Sequence, residues 1–260
     1  MQKPIKDKRM EYILNELQRK ASVTVAELST ALEVSEVTIR KILADMEQED
    51  MLRRTWGGAV SFSGSMKEHT YIEKETMHVE EKKAIARAVY DLIRDGEAIF
   101  IDTGTTTIEL AKLIVEGPKR DIFVCTNAVN IAMEMTRVRD IEVIVLGGEL
   151  RHNIHSCVGQ STENQLKMMS FDKGFVTGDH FTLDRGYSTP SMREAELKRT
   201  ALASSKQKLV LMDYSKFGND SLMQIAPASG IDMLVTDWHM PDSVAKSFEE
   251  QGVKVVRAQP

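Results

Sequence analysis

The stretch AIFIDTGTTTIELAKL, residues 98–113, combines three local signals within one short segment. Its first four residues are an uninterrupted apolar run, which is typical of a strand that is buried on both faces. A glycine at position 104 lies among four threonines, and the residues from Ile108 to Leu113 begin a helix. The stretch therefore predicts a strand, a turn that contains Gly104 and a helix, which is the repeating unit of an α/β sheet.

The same unit recurs through residues 75–260. Apolar runs alternate with helical segments, and each run is followed by polar residues or glycines. The further runs are Ile122–Cys125, Ile141–Leu146, Phe171–Val176, Leu209–Met212 and Met233–Val235. Such alternation predicts a mostly parallel sheet with helices on both faces, and open α/β sheets of this kind bind ligands at the carboxyl ends of their strands.

The turn after the first strand has the chemistry of an anion site. Gly104 lets the backbone approach a ligand closely, the helix N-terminus offers free N–H groups, and threonine hydroxyls add donors. A phosphate group suits this environment, and Lys216 would supply a countercharge. The candidate ligand-binding residues follow the strands and are Asp102, Thr103, Gly104, Thr105, Thr106, Thr107, Thr126, Asn127, Gly147, Gly148 and Lys216.

Two narrower interpretations of these residues remain open. Threonine is common at helix N-caps, so the threonine cluster could serve only to cap the helix. Turn chemistry alone would also explain Thr126-Asn127 and Gly147-Gly148. The turn lacks the Gly-Lys-Ser/Thr ending of a nucleotide-binding loop, so we predict no triphosphate hydrolysis.

The first 60 residues have a different pattern, which predicts helix, helix, turn, helix and hairpin. Thr24 and Glu27 have the spacing of a capping box at the start of the second helix, and Ser35 is a good N-cap for the third. Residues 52–60, with two glycines at the bend, suit a short hairpin. This order predicts a winged helix-turn-helix, which places the start of its last helix in the major groove of DNA.

Contacts to DNA are predicted from the polar face of the third helix and from the wing. Ile39, Leu43 and Met46 have the spacing of one buried face, which leaves the other positions toward solvent. The predicted DNA contacts are Ser35, Val37, Thr38, Arg40, Lys41, Arg53 and Arg54. The alternative is that the basic ones are ordinary solvated charges. Lys and Arg balance Asp and Glu over residues 1–60, 10 − 10 = 0, so useful affinity needs two copies of the module.

The composition of the chain excludes several classes of protein. A length of 260 residues suits two domains, and the net charge of 34 − 39 = −5 excludes a generally basic nucleic-acid coat. Two cysteines are too few for a disulfide scaffold. The sequence shows neither a signal-peptide core nor an apolar run of the ~20 residues that a membrane-spanning helix needs. We therefore expect a cytoplasmic protein without a membrane partner.

A stretch of small residues, Ser61–Ser65, separates the two patterns and is typical of a linker. We therefore expect a winged helix-turn-helix domain at residues 1–60, a linker at 61–74 and an α/β domain at 75–260. The last of these is expected to bind the ligand and to oligomerise.

Six motifs, in this order along nearly the whole chain, resemble those of the DeoR family of bacterial transcription regulators. They are Val34–Arg40, Leu52–Ala59, Asp102–Thr107, Thr126-Asn127, Leu146–Gly148 and Asp213–Phe217. The resemblance implies an N-terminal winged helix-turn-helix and a C-terminal sensor domain that is similar to ribose-5-phosphate isomerase and binds phosphorylated sugars or related metabolites. Most members of the family repress carbohydrate operons and are released from DNA by the effector.

The resemblance implies a repressor. Its implied partners are operator DNA, a phosphorylated sugar and further copies of its own chain, in a dimer or tetramer. It implies no enzyme, no cofactor and no metal ion, and His152 and His155 alone are an incomplete set of metal ligands. Two alternatives remain open. One is an isomerase-like enzyme with a DNA module, in which Asp102, Asp213 and Lys216 are acid–base groups. The other is a C-terminal domain that only oligomerises.

The sequence departs from the family pattern at five positions. Ile42 stands where the family has an acidic residue, Asp50 where a glycine ends the helix, and Trp56 where the wing has histidine or tyrosine. Thr177 and His180 lie in a segment that is richer in glycine in the family. We expect Ile42 to alter how the helix is anchored or which operator is read, and the bulk of Thr177 and His180 to reshape the pocket.

Overall fold

The computed structural model describes residues 5–20, 22–48, 51–55, 57–61 and 69–260. The contacts divide the chain into two compact units, Met1–Lys67 and Glu68–Pro260. Residues 62–68, which are half of the expected linker, and the departures Asp50 and Trp56 lie outside the described residues. The end of the expected linker, residues 69–74, lies in the second unit and contains the start of a helix.

The described part of the first unit contains three helices and a three-stranded antiparallel sheet. The elements are α1 (Ile5–Lys20), β1 (Ser22–Thr24), α2 (Val25–Leu32), α3 (Glu36–Gln48), β2 (Leu52–Thr55) and β3 (Gly58–Ser61). The predicted hairpin is confirmed as β2 and β3, and β1 pairs with the edge of β3 that faces away from β2. The sequence did not predict β1, because three residues are too few for a periodic signal.

The local signals of this unit are confirmed. Glu27 N donates to Thr24 Oγ1 over 3.2 Å, and the Glu27 carboxylate accepts from Thr24 N, which completes the capping box. The Ser35 hydroxyl accepts from the backbone N–H three residues later over 3.2 Å and so caps α3. The predicted buried stripe of α3 is in the core: Ile39, Leu43 and Met46.

The turn between α2 and α3 stores backbone strain that a local hydrogen bond offsets. Glu33 ends α2 in the left-handed region, at φ 52°, which costs on the order of 1 kcal/mol for a residue other than glycine. Ser29 Oγ donates to the carbonyl of Val34 over 2.6 Å and holds the turn closed. Beyond the turn, Ile42 is buried in the apolar core, so burial anchors α3 where the family has an acidic residue.

The second unit is described throughout residues 69–260. Its helices are α4 (Tyr71–Glu75), α5 (Val79–Tyr90), α6 (Thr107–Glu116), α7 (Val129–Met135), α8 (Gln160–Lys167), α9 (Met192–Ala203) and α10 (Asp242–Glu249). Its strands are β4 (Glu97–Ile101), β5 (Ile122–Thr126), β6 (Glu142–Val145), β7 (Glu149–Arg151), β8 (Ser156–Val158), β9 (Phe171–Val176), β10 (His180–Thr182), β11 (Gly186–Thr189), β12 (Ser205–Leu211), β13 (Met223–Ala226), β14 (Met233–Asp237) and β15 (Lys254–Ala258).

Seven of the strands within residues 69–260 form one parallel sheet in the order β15-β14-β12-β9-β4-β5-β6. After β4 the chain adds β5 and then β6 on one side of β4, and it later places β9 on the other side of β4. The strand order therefore reverses between β4 and β9, which is the position where open α/β sheets bind ligands.

Helices cover both faces of this sheet, as predicted. Ile99 and Val124 point into one apolar core, which includes residues of α5, α6 and α7. Their chain neighbours Phe100 and Cys125 point into the other, which includes residues of α8, α9 and α10. Because successive side chains of a strand alternate between faces, a strand buried on both faces is apolar at every position.

The N-terminal sheet offers a test of its packing. A Cβ on Gly58 would lie 1.9 Å from the carbonyl oxygen of Val23 on β1, so Gly58→Ala forces β1 and β3 apart. We expect the free energy of unfolding of this module to fall by about 1–3 kcal/mol. The measurement is a urea titration that is followed by hydrogen exchange of the β1 and β3 amides. Gly57→Ala is the matched control, because nothing lies within 4 Å of its Cβ. Equal losses in the two variants would contradict the packing argument.

Candidate functional site

The candidate site lies where the loops after β4 and β9 meet. The two strands are parallel neighbours, so their carboxyl ends are adjacent. Thr177 N donates to Asp102 Oδ2 over 3.2 Å, and Thr177 Oγ1 donates to the carbonyl of Thr103 over 2.7 Å. The two loops are therefore joined by hydrogen bonds before any ligand binds.

Gly104 is required here by the packing of the protein itself. A Cβ at this position would lie 2.7 Å from Thr177 Oγ1 and 2.8 Å from Thr177 Cγ2. The sequence suggested that a glycine is needed at position 104 so that a ligand can approach closely. In the structure, the loop that follows β9 packs against Gly104 through Thr177. Gly104 nevertheless lines an open cavity beside that contact.

The threonine cluster does more than cap α6. Thr106 is the N-cap residue, but its side chain makes no capping hydrogen bond. Thr103 and Thr107 donate to the carbonyls of Ile154 and Gly104 over 2.9 and 3.1 Å. Among the described residues, no hydrogen bond occupies the hydroxyls of Thr105 and Thr106, although both residues are buried and line the cavity. These two hydroxyls remain available to a ligand.

The cavity has a volume of about 60 Å³ and is strongly charged. Its charged lining residues are Lys74, Lys82, Asp179, Glu194, Lys198, Asp213 and Lys216. The remaining walls are the threonine turn, Tyr71, Met77, Ile154, Thr177, Gly178, Leu211 and Met212.

A buried ion cluster closes one end of the cavity. Lys198 Nζ pairs with Asp102 and lies 3.5 Å from Glu194 Oε2, and all three side chains are at most 6% exposed. Burial lowers the pKa of Lys198, but the charge of Asp102 outweighs it and holds that pKa above its usual range. Burial also raises the pKa of Glu194. Asp102 Oδ1 has no hydrogen-bond partner in the described structure.

The other end of the cavity holds three lysines. Lys74 Nζ donates to Asp179 Oδ1 over 2.5 Å, and Lys82 Nζ donates to the carbonyls of Lys74 and of Met77, the latter over 2.5 Å. Burial, together with the nearby charges of Lys216 and Lys74, lowers the pKa of Lys82 to about 8, against the opposing charge of Asp213. The positive charges of Lys74 and Lys216 repel that of Lys82, and a bound anion would reduce this repulsion.

Two acidic residues balance part of this charge. Burial raises the pKa of Asp213, but Lys216 outweighs it and holds the value below its usual range. Burial acts in the same direction on Asp179, but Lys74 and the hydroxyl of Thr189 outweigh burial, so the pKa of Asp179 is lowered. Both carboxylates are therefore ionised at neutral pH and keep the lysines in place.

The structure brings only part of the predicted ligand site together. Five predicted residues line the cavity: Thr103, Gly104, Thr105, Thr106 and Lys216. Asp102 pairs with Lys198, which lines it, and Thr107 is buried in the first turn of α6. Thr126, the last residue of β5, and Asn127 after it are buried, and they donate hydrogen bonds to the carbonyls of Ile101 and Cys157, respectively.

Gly147 and Gly148 do not reach the cavity, which corrects the sequence interpretation for both. They follow β6, the edge strand, which β5 separates from β4. A Cβ on Gly148 would lie 2.0 Å from Thr162 Oγ1, and the Gly147 carbonyl accepts from that hydroxyl over 2.9 Å. Gly148 is therefore required for the approach of α8, whereas a Cβ on Gly147 would meet nothing within 4 Å. Both glycines belong to the turn after β6, which is the turn interpretation that the sequence left open.

Sequence reasoning missed most of the charged lining. Lys74, Lys82 and Lys198 lie on or beside helices, where lysines are usual on the surface, so no local signal distinguishes them. Asp179 did have a signal, because it follows β9 in the same way that Asp102 follows β4. The departure His180 does not line the cavity: its Nδ1 bonds to Ser221 Oγ over 2.7 Å, and burial lowers its pKa.

The predicted DNA-contact residues of α3 form an exposed face. Val37 is 77% exposed, and Arg40 and Lys41 are exposed beside it. Arg40 pairs with Glu36 over 3.0 Å through one guanidinium nitrogen, which leaves its other N–H groups for a further acceptor. The hydroxyls of Ser35 and Thr38 lie 2.9 Å apart at the N-terminus of the helix.

On the wing, Arg54 is exposed, and its guanidinium lies 3.9 Å from Glu47. The side chain of Arg53 lies outside the described residues. Within the described residues, no group of three His, Cys, Asp or Glu side chains could hold a metal ion. No described helix has the length and apolar character needed to cross a bilayer.

Two known domains match the chain. Residues 9–64 match the DeoR-like helix-turn-helix domain, and residues 77–238 match the DeoR C terminal sensor domain. The lactose phosphotransferase system repressor of Lactococcus lactis subsp. lactis is 33% identical over 247 residues, which cover 94% of this chain and 96% of that protein. The HTH-type transcriptional regulator GlpR of Haloferax volcanii is 32% identical over 233 residues, 90% of each chain.

Solved structures are more distant. Ribose 5 phosphate isomerase A from Neisseria gonorrhoeae aligns with 58% of this chain and 56% of its own, at 16% identity and a TM-score of 0.40. A likeness of this size says nothing about what this chain binds or does.

The buried ion cluster predicts a large stability effect. Lys198→Met leaves Asp102 buried without its cation, while Glu194 keeps Arg151 at 3.7 Å, and we expect a loss of about 3–5 kcal/mol in the free energy of unfolding. Lys206→Met is the matched control, because Lys206 pairs with Asp172 over 2.8 Å while 69% exposed, and its loss should be about 0–1 kcal/mol. Urea titration of the full chain measures both. A small loss for Lys198→Met would show that the cluster does not hold the cavity wall.

Proposed function

Because this chain belongs to the DeoR family of transcription regulators, we propose that it represses a carbohydrate-metabolism operon and that a phosphorylated sugar in the cavity between β4 and β9 controls its affinity for operator DNA. One observation carries the proposal for the ligand. The charged lining has one group with three lysines against two carboxylates and another in which Lys198 meets Glu194 and Asp102, which matches a molecule with a phosphate on one side and hydroxyls on the other.

The group with three lysines suits a phosphate. Lys82 and Lys216 line the cavity beside the unoccupied hydroxyls of Thr105 and Thr106. The N-terminus of α6 adds free N–H groups and the positive end of a helix dipole. A dianion placed there would reduce the repulsion among the lysines and would receive hydrogen bonds without any rearrangement of the turn.

The group around Lys198 suits sugar hydroxyls. Glu194 and Lys198 line the cavity, and Asp102 lies behind Lys198 with Oδ1 unpartnered. A buried carboxylate oxygen without a partner costs about 1–3 kcal/mol or more, and a sugar hydroxyl that reached it would remove that cost. Inorganic phosphate alone would leave this oxygen unsatisfied, which favours a larger ligand.

The relatives named above are a repressor and a transcriptional regulator, which supports a regulator over the isomerase alternative. Carboxylates and lysines at strand ends bind ligands without chemistry as readily as they catalyse, since a fold does not decide a function. We therefore assign Asp102, Asp213 and Lys216 to ligand binding. Incubation with pentose and hexose phosphates should give no turnover.

In the DNA-binding module, α3 is the proposed recognition helix. Its exposed face would enter the major groove, with Val37, Arg40 and Lys41 toward the bases and Arg54 on the wing toward the backbone. The module has no net charge, so we propose that it binds as a homodimer or tetramer in the cytoplasm. Exposed apolar side chains near the edge strand β6, Met133 and Val145, offer a surface for such association.

The DNA contacts predict a charge-dependent loss of binding. Lys41→Ala should weaken binding to a DNA fragment selected from a random library, by about 1–3 kcal/mol for a base contact, or lower the salt slope by about 1 for a phosphate contact. Glu36→Gln should strengthen binding, because it frees Arg40 and removes a negative charge from the same face. Fluorescence anisotropy over a salt series measures both. Unchanged affinity in Lys41→Ala and Arg40→Ala would remove α3 as the recognition helix.

The ligand proposal predicts release of DNA by a phosphorylated sugar. In a panel of pentose and hexose phosphates, at least one should change operator affinity and raise the melting temperature. At 100 times its Kd, that ligand should add about 2.7 kcal/mol to the free energy of unfolding. At a fixed ligand concentration below saturation, Thr105→Ala and Lys216→Met should each weaken both effects because they bind the ligand less tightly, whereas Lys206→Met should not. If no member of the panel changes operator affinity, the proposal fails. If none stabilises the protein either, the domain only oligomerises.

Lys82 adds a pH dependence to the same measurement. The phosphate is a dianion from pH 7 upward, since its second pKa is near 6, whereas Lys82 loses its proton near pH 8. A bound anion favours the protonated lysine, so affinity should fall as the pH rises from 7 to 9. In Lys82→Met the affinity at pH 7 should be lower and its decline over this range shallower. An equal decline in wild type and Lys82→Met would place the anion elsewhere.

A further inference from the structure

Residues 70–77, which we call the α4 segment, are both a wall of the cavity and the beginning of the sensor unit. Tyr71, Lys74 and Met77 line the cavity from this segment. The chain N-terminal to residue 70 leads directly to the DNA-binding module. No other wall of the cavity lies so close in sequence to that module, because the next lining residues are Lys82 and Thr103.

The α4 segment is a discrete element with its own cap. Thr70 Oγ1 accepts from Glu73 N over 3.3 Å, and the Glu73 carboxylate accepts from Thr70 N over 2.6 Å, so a capping box starts the helix. The helix is only five residues long. A helix this short is not stable alone and depends on its contacts with the rest of the unit.

Those contacts converge on the cavity. Tyr71 N donates to the carbonyl of Asn153 over 2.7 Å, and the Tyr71 ring is buried with its centroid 4.7 Å from that of His155. Burial raises the pKa of Tyr71 to about 12, so the ring stays neutral. At its C-terminal end the segment is held by two lysines, through the Lys74–Asp179 pair and the bonds from Lys82 to backbone carbonyls.

The Lys74–Asp179 pair joins the segment to the β9 loop, 105 residues further along the chain. Asp179 also accepts from Thr189 Oγ1 over 2.8 Å, so it keeps a partner if Lys74 moves away. A phosphate bound at the Gly104 turn would lie in the same small cavity and would compete with Asp179 for Lys74. A dianion is the stronger competitor, because a phosphate offers more charge and more acceptor oxygens than one carboxylate.

We infer that the α4 segment transmits occupancy of the cavity to the DNA-binding module: the bound phosphate draws Lys74 from Asp179, and the segment that carries Lys74 changes its position with it. This inference rests on the proposed function, since it requires the phosphorylated ligand. A ligand shifts such an equilibrium only by its differential affinity for the two arrangements, and the change of partner by Lys74 supplies that difference.

The test separates ligand binding from its transmission. The variants are Lys74→Met, Lys74→Arg and Lys216→Met in the full chain, with Lys206→Met as the unrelated control. The probes are inorganic phosphate and the sugar phosphate with the largest effect in the panel. Calorimetry measures binding, and anisotropy measures the ratio of operator affinities without and with saturating probe. Hydrogen exchange of the amides of residues 70–77 reports the segment directly.

We expect the sugar phosphate to change exchange in residues 70–77 of the wild-type chain. Lys74→Met should still bind it, about tenfold more weakly, but its operator-affinity ratio at saturation should fall to about one. Lys216→Met should lose affinity and keep the wild-type ratio at saturation, because it removes a cation from the body of the unit. Lys74→Arg should retain most of the ratio.

Two results would overturn the inference in different ways. If Lys74→Met binds the sugar phosphate and keeps the wild-type ratio, the α4 segment is a passive wall and the proposed function stands. If the wild-type chain binds no phosphorylated sugar, the proposed function fails and the inference fails with it. Should Lys74→Met not fold, Asp179→Asn decides: it frees Lys74, so operator affinity without ligand should move toward the ligand-bound value, and no such change would count against transmission.

Discussion

The buried pair between Asp102 and Lys198 determines where the binding cavity lies. Two charges removed from water are costly unless they meet each other, as Asp102 and Lys198 do, although Asp102 Oδ1 is left without a hydrogen-bond partner among the described residues. Asp102 follows β4, Lys198 lies on α9, and Thr177 after β9 bonds to the same carboxylate. Three elements that are distant in sequence are therefore held at one point. That point coincides with the reversal of strand order, where the ends of β4 and β9 leave room for a ligand.

Around this pair the charges of the cavity fall into two groups. Lys198 pairs with Asp102 and Glu194, whereas Lys74, Lys82 and Lys216 share the other group with Asp179 and Asp213. Burial lowers the pKa of Lys82, and the charges of Lys216 and Lys74 add to that effect. An anion bound there, as proposed, would reduce the repulsion among the lysines. Lys74 and Lys82 also attach the α4 segment, so in this proposal ligand recognition and the change in the protein use the same side chains.

The departures from the family pattern have local explanations where the structure describes them. Ile42 is accommodated by burial in the core of the N-terminal module. Thr177 does shape the cavity, since it packs against Gly104 and bonds to Thr103. His180 lies behind the lining, bonded to Ser221. Of the two sensor residues expected to reshape the pocket, Thr177 therefore has direct contact with it.

The sequence by itself determined the membership of the DeoR family, the winged helix-turn-helix, the strands and helices of the sensor and the Gly104 turn. These depend on periodicity, caps and turns, which act over a few neighbouring residues. Only the tertiary structure decided which strand ends are adjacent. It excluded Gly147 and Gly148 because β6 lies at the sheet edge, and it brought Lys74, Lys82 and Lys198 to the cavity from helical segments. The physical reason is that strand order and ion pairing depend on contacts between residues far apart in the chain, which leave no periodic trace in the sequence.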